Sequence, residues 1–436
     1  MRSKWARWGA LVVVGLSLGL AAPAGAATST PDDPAFDLQW NLQMVGAPAA
    51  WKVATGAAIT IAIVDSGVDL AHEDLSGKIV GHVDCIGQPC TSGDDAGQDD
   101  YGHGTHVAGI AAASTNNGRG VAGTAPDAAI LDVKVLDDVG SGTPGDVAAG
   151  IRFAADHGAA VINLSLGNIE QSIFGPSFQE ALNYAFSKGA VPVIAAGNDF
   201  VLPSGSAQHA IVVGALNRAG VKATYSNIGS AQWAIMAPGG DFGETDSSCE
   251  NAPISVLSTY PGQYACLAGT SMAAPHVSGA VAVLRSQGLT PQQAIDRILS
   301  TARPLATTSL DGAGALDLAA AVGLPPTPPD TTPSTVTTSS TPDAPDDAGG
   351  GPVETTPSGD RSGPTSTAPP TVTAPTQRAA VAPPKGGVIT REATDDDPSP
   401  AVVVAAVVMA ASVTAALGWF ALRGSSLARR TPKLDR

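Results

Sequence analysis

Three residues of this 436-residue chain have the types that proton transfer and nucleophilic attack require: Asp65, His103 and Ser271, in that order. Asp65 ends the apolar run ITIAIVD, just before Gly67 releases the chain. In open α/β sheets ligands bind at the carboxyl ends of the strands, although strands also end at Asp for reasons of turn geometry. His103 stands between two glycines in DDYGHGTHVAGIAAA, at the start of a helix, so its ring is expected to reach out from an uncrowded backbone. His106, three residues on, competes with it but reads as a packing residue inside the helix. The two histidines could also suggest a metal, yet no third ligand lies at a familiar interval. Ser271 follows Gly269-Thr270 in AGTSMAAPHVSGAVAVL and opens a long apolar helix, where free N–H groups and the positive dipole end favour developing negative charge. A serine at such a place is most often a plain N-cap. The glycine two residues earlier and the following Pro275-His276 are not explained by capping, and His276, in the helix body, is not expected to act as a base.

A scaffold has to bring positions 65, 103 and 271 together. Apolar runs rich in Val and Ile at 60–64, 129–135, 160–166, 191–195 and 211–215 read as strands buried on both faces. Helical spacing occupies 105–113, 144–157, 177–188 and 271–287 between and after them. Alternating strands and helices predict an α/β fold, a mostly parallel sheet with helices on both faces. The composition, 44% hydrophobic and without repeats, excludes collagen, coiled coil and a wholly disordered chain. With 23 Lys+Arg against 39 Asp+Glu the net charge is −16, which argues against nucleic acid as a partner. The four cysteines, spaced C-x4-C and C-x16-C, match no common zinc pattern.

The ends of the chain carry targeting signals. Arg2, Lys4 and Arg7 precede the apolar run 9–22 and the small residues Ala24-Gly25-Ala26, so residues 1–26 read as a secretory signal peptide. Residues 401–422 contain no charge, and at about 1.5 Å per residue they span a hydrocarbon core of about 30 Å. Asp395-Asp396-Asp397 lie before this run and Arg423, Arg429, Arg430, Lys433 and Arg436 after it. Positive-inside bias therefore places the tail 423–436 in the cytoplasm and everything before the span outside the membrane. Residues 324–400 hold 17 of the 34 prolines and no aromatic residue; they cannot bury enough apolar surface to offset chain entropy and read as a disordered, partly polyproline-II tether. The working domain is then 27–323. In an exported domain, local pairing of Cys85 with Cys90 and of Cys249 with Cys266 is the simplest of three connectivities.

The segments VDSGV, HGTHVAG and GTSMAAPHVSG, in that order, resemble the three signatures of the subtilisin-like serine proteases, the subtilases, almost letter for letter. A fourth match, VIAAGN, sets Asn198 where that family has its oxyanion-hole amide. The resemblance runs over residues 40–322. It implies that Asp65 orients His103, that His103 takes the proton of Ser271 Oγ, and that Asn198 with the Ser271 N–H stabilises a tetrahedral oxyanion, with no cofactor in the chemistry. By the same resemblance, Ser165-Leu166-Gly167 and Gly140-Ser141-Gly142 clamp an extended polypeptide substrate as an added β-strand. Ala195-Ala196-Gly197 line the pocket for the residue before the cut. A structural calcium ion is a further implication, held by Asp33, Asp74, the Asn117 side chain and the carbonyls of Thr115, Arg119 and Val121; a simple Gly/Asn turn is the alternative.

The pattern also departs from the family. Many subtilases carry a propeptide of some seventy residues, whereas here DDPAFDLQWNLQMVGAPAAW already resembles the start of a catalytic domain, so an intramolecular inhibitor is not expected. The layout of signal peptide, protease domain, Pro-rich tether and C-terminal span is similar to that of the mycosins, membrane-anchored subtilases of type VII secretion; the long tether and the C-x4-C pair differ from that pattern. Secretion-complex proteins are thus expected partners on one reading, a catalytically silent membrane anchor is the competing reading, and a degradative surface protease is another.

Overall fold

The computed structural model describes residues 30–166, 176–198, 207–227, 231–241, 249, 254–305, 312–327 and 388–389. The expected signal peptide, Gly167, nearly all of the tether, the apolar run 401–422 and the basic tail lie outside the described residues. Among the described residues no helix is long and apolar enough to cross a membrane.

After a short 3-10 turn, Phe36–Leu38, come α1 (Trp40–Met44) and α2 (Ala47–Ala50), then β1 (Thr60–Asp65), β2 (Ile79–Asp84), α3 (His103–Ala112), β3 (Ala129–Lys134), β4 (Ser141–Gly142) and α4 (Pro144–Asp156). The chain continues with β5 (Val161–Leu164), α5 (Pro176–Ser187), β6 (Val191–Ala195), β7 (Ile211–Leu216), β8 (Ala234–Pro238), the hairpin β9 (Val256–Tyr260) and β10 (Gln263–Leu267), α6 (Thr270–Ser286), α7 (Pro291–Ser300), α8 (Leu318–Ala321) and β11 (Val388–Ile389). The main sheet among the described residues has the order β2-β3-β1-β5-β6-β7-β8 and is parallel throughout.

Each expected strand is present, because a run this rich in Val, Ile and Ala is buried on both faces. In β1, Ile61 and Ile63 enter the core shared with α3 and α6, while Ala62 and Val64 enter the core under α4 and α5. Of the two main-sheet strands that sequence periodicity missed, β8 is buried along its whole length, AIMAP being too short a run to stand out. β2 is an edge strand interrupted by Gly81 and His82, and β10 is only half buried. After β3 the chain crosses from one side of β1 to the other, so β1 and β5 flank the point where strand order reverses. In such sheets the crevice at the carboxyl ends opens there. Both disulfides, Cys85–Cys90 and Cys249–Cys266, are the expected local pairs.

α3 is buried along its whole length and α6 as far as Leu284. Each carries a buried neutral histidine. His106 Nε2–H is shared between the carbonyls of Val256 and Ala265, which ties α3 to the hairpin. His276 Nδ1–H donates to the Met272 carbonyl, and its Nε2 accepts from Asn41 Nδ2, which ties α6 to α1. Burial pushes these imidazoles down from 6.5 to about 3 and about 4. Below pH 6.5 the unfolded chain takes up two protons that the native state refuses, so this stability is full above 6.5 and is lost as pH falls toward 4. Each histidine contributes a slope of about 1.4 kcal/mol per pH unit. In urea titrations between pH 4 and 6.5, His276→Gln is expected to reduce the pH slope of unfolding by about one proton relative to the parent; an unchanged slope would contradict a neutral His276.

Candidate active site

Asp65 ends β1 with its side chain fully buried. Its Oδ1 accepts from the Ser66 N–H at 2.7 Å and from His103 Nδ1–H at 2.8 Å, which leaves His103 Nε2 free to act as a base. His103 is the first residue of α3, and the glycine after it permits this contact. A Cβ at Gly104 would stand 2.1 Å from the Gly67 carbonyl and 3.1 Å from Asp65 Cβ, so only glycine lets the helix seat against the end of the strand. This corrects the expectation of an outward-reaching ring: His103 is 2% exposed, and its surroundings are crowded. Burial, the largest influence, pushes its pKa down, but the charge and hydrogen bond of Asp65, with the charge of Asp99 behind them, outweigh it and hold the imidazole above 6.5.

Ser271 is the second residue of α6. The N-cap is Gly269, no side chain caps this helix, and Ser271 Oγ donates instead to the Ser165 carbonyl at 3.0 Å, which removes the plain N-cap reading. In this conformation Ser271 Oγ makes no hydrogen bond to His103 Nε2. Gly269 has φ of 155°, and a Cβ there would lie 3.4 Å from Asn198 Nδ2 and 3.7 Å from the Ser271 nitrogen. The Asn198 amide nitrogen and the Ser271 nitrogen thus border one small space beside Gly269. The Asn198 amide is oriented from its other end: Oδ1 accepts from the N–H and the hydroxyl of Thr270, both at 3.0 Å, and Thr270 Oγ1 in turn accepts from the Gly197 N–H. Such an arrangement can take a proton from a hydroxyl and hold a developing oxyanion.

The expected substrate segments meet at the same edge. Ser165 and Leu166 follow β5, and Ala195, Ala196 and Gly197 end β6 beside it, with their backbones tied down by bonds from Asn227 to the carbonyls of Ala196 and Gly197. Gly140 packs under the Tyr101 ring, and Ser141–Gly142 form β4, which carries a parallel two-residue ladder from Val388–Ile389. Gly167 lies outside the described residues.

Asp33 and Asp74 gather around the loop 115–121. Asp74 accepts from Asn117 Nδ2 and from the Val121 N–H, both at 2.8 Å, and Asp33 accepts from the N–H groups of Asn116 and Asn117. Burial, and then neighbouring carboxylate charge, raise both carboxyl pKa values above the ordinary range despite these bonds. The buried Thr115 hydroxyl has no partner. The Asn117 side chain differs from expectation: its NH2 faces Asp74, and its Oδ1 accepts from the Arg119 N–H, so half a turn of the amide is needed to present oxygen. Oxygen-rich carbonyls and two under-neutralised carboxylates suit a hard cation.

Sequence reasoning overlooked the supports. Asp99 accepts from Ser66 Oγ, the N–H groups of Tyr101, Gly102 and Thr105, and Thr105 Oγ1, and so shapes the turn into α3. Its place just before GHGTH was the available signal. Asp132, in register between Ile63 and His82, is wholly buried with no side-chain partner; burial and then the Asp99 charge hold its carboxyl well above the usual range, against the pull of Lys134 and the Val68 backbone. Nothing in the sequence marked it.

Residues 56–323 match the model of the Peptidase_S8 domain, the subtilase family. The chain is 44% identical over 284 residues to thermitase of Thermoactinomyces vulgaris, covering 64% of this chain and 94% of thermitase. It is 37% identical over 298 residues to subtilisin Savinase of Lederbergia lenta, covering 66% and 99%. A solved protease structure from Pseudoalteromonas arctica superposes with a TM-score of 0.59 at 35% identity, over 67% of this chain and 99% of that one.

A base must be neutral to accept a proton, and a raised His103 pKa moves that requirement to higher pH. The acid limb of kcat/KM, which reports the free enzyme, is expected to titrate above 6.5. A limb below that value would mean that burial, not Asp65, sets the imidazole.

Proposed function

This chain belongs to the subtilase family and is a serine endopeptidase, and from that premise we propose that it is a membrane-anchored, extracytoplasmic protease in which Asp65, His103, Ser271 and Asn198 carry the reaction. The meeting of Ser271, Asn198 and the Asp65–His103 pair at one sheet edge supports this reading most. Ser271 Oγ leaves the Ser165 carbonyl, passes its proton to His103 Nε2 and attacks the scissile carbonyl. The oxyanion collects between Asn198 Nδ2 and the Ser271 N–H at the start of α6. His103 then gives its proton to the leaving amine, and water repeats the sequence to release the acyl group. Asp65 holds the Nδ1–H tautomer and stabilises the transient cation.

The substrate is an extended polypeptide laid along β4 and the segment after β5. That β4 already accepts a ladder from Val388–Ile389 favours strand addition at this edge. The signal-like residues 1–26 and the charge-free run 401–422 with its basic flank favour export with a C-terminal anchor, and the tether 324–400 then sets the reach of the protease from the membrane. This layout, similar to that of the mycosins, favours substrates or secretion-complex proteins close to the same membrane.

Intact cells treated with a membrane-impermeant fluorophosphonate test both parts. Labelling of the full chain in the membrane fraction, lost with Ser271→Ala, is expected, and deletion of residues 401–436 should move the labelled protein to the medium. Labelling only after cell lysis would overturn the topology, and no labelling of folded protein would overturn the assignment of Ser271.

The Asp33/Asp74 loop is proposed to hold a structural calcium ion through Asp33, Asp74, Asn117 and the carbonyls of Thr115, Arg119 and Val121. Bound calcium would neutralise the two carboxylates and tie the N-terminal arm to the loop. Calcium at about 100 times its Kd should stabilise by about 2.7 kcal/mol, read as a higher Tm than in chelator, and Asp74→Asn should abolish the difference. Equal Tm values with and without calcium would return the loop to a simple turn.

A further inference from the structure

α6 contains Pro275, four residues after Ser271. Proline has no N–H, so the helical bond that would close on the Ser271 carbonyl cannot form. That carbonyl belongs to the nucleophile and is buried. It is not left without a donor: Ser165 Oγ, from the end of β5, donates to it at 2.8 Å. In the opposite direction Ser271 Oγ donates to the Ser165 carbonyl at 3.0 Å, so the two residues clasp each other through two bonds.

The direction of the clasp is set from behind. Asn163 Nδ2 donates to Ser165 Oγ at 2.9 Å, which fills the acceptor side of that hydroxyl and leaves its one hydrogen for Ser271. Ser278 Oγ donates to Asn163 Oδ1 at 2.7 Å, which fixes the amide. Ser278 lies two turns beyond Ser271 on α6, so the strand end grips the helix on both sides of the proline. Asn163, Ser165 and Ser278 are all fully buried, and no water-facing partner can substitute for any of these bonds.

We infer that the Ser165 hydroxyl is a positioning residue for the nucleophile, standing in for the helical N–H that Pro275 lacks and thereby fixing the first turn of α6, with Ser271 Oγ and its N–H, against the end of β5. The backbone of Ser165 serves the substrate, whereas its side chain serves the serine. A proline at position 275 frees the carbonyl from the helix ladder, and the hydroxyl turns that freedom into a tie to the sheet that carries the rest of the site.

The proposal makes Ser165 and Pro275 energetically coupled, which a double-mutant cycle in the full chain can read. Alanine at 275 restores an N–H for the Ser271 carbonyl and makes the Ser165 hydroxyl dispensable for that bond. In the parent, Ser165→Ala is expected to lower both kcat on a peptide substrate and the second-order rate of fluorophosphonate labelling by about 10- to 100-fold, with KM changed less than about twofold. Pro275→Ala alone should stay within about threefold of the parent, and adding Ser165→Ala to it should cost less than about threefold more. Labelling of the parent chain at Ser271 is the baseline that separates this question from the assignment of the nucleophile. An equal loss in both backgrounds, or a loss confined to KM or to Tm, would overturn the proposal. If Ser165→Ala does not fold, the same cycle run with Ser165→Cys, which keeps the shape and weakens the donor, gives the same two outcomes.

Discussion

The structure depends on one contact made without water: the 2.8 Å bond between the buried Asp65 carboxylate and the His103 imidazole. A carboxylate enters an apolar interior only when it is paired and hydrogen-bonded, because an isolated buried charge is too costly. Here the pairing joins the end of the central strand to the first residue of a fully buried helix. Any displacement of α3 away from β1 would therefore strand a charge. The glycine at 104 and the small residues along α3 allow the necessary approach, and the many donors gathered on Asp99 hold the preceding turn in place.

The same logic extends across the sheet edge. Nearly every polar atom that enters the site is anchored from behind by another. Asn198 is held through Thr270, Thr270 through Gly197, and the carbonyls of Ala196 and Gly197 through Asn227. Preorganisation of this kind places donors before charge develops, so little reorganisation remains to be made during the reaction. Buried polar groups raise the cost of error, since each lost partner leaves another group unpaired. Asp65 Oδ2 and the wholly buried Asp132 carboxyl stand apart, with no side-chain partner, and burial raises the Asp132 pKa well above the ordinary range.

Away from the chemistry, disulfides and hydrogen bonds constrain the loops that the sheet does not reach. Cys85–Cys90 closes the turn after β2, on the path to α3, and Cys249–Cys266 joins the segment before β9 to the hairpin that packs on α3. Asp33 and Asp74 bring the N-terminal arm to the loop after α3. These ties surround the element that carries His103, which is where local unfolding would damage the site most.

The sequence by itself determined five of the seven strands of the main sheet among the described residues, and the family. Runs such as 61–64 and 191–195 are apolar at every position and are satisfied between two helical layers. Asp65, His103 and Ser271 sit in segments that resemble the three subtilase signatures, and residues 56–323 match that family. Local pairing of the cysteines was the simplest of three connectivities on sequence grounds, and the fold has it. What only the tertiary structure decided was contact between residues far apart in the chain. The sequence offered no sign that Ser165 would supply the bond Pro275 removes from Ser271, or that Asn163 and Ser278 would direct it, since hydroxyls and amides carry no periodicity. It suggested an open setting for His103, whereas the fold buries the ring. Flanking glycines signal freedom in one dimension but close approach in three, and which of the two applies depends on what the fold packs against them.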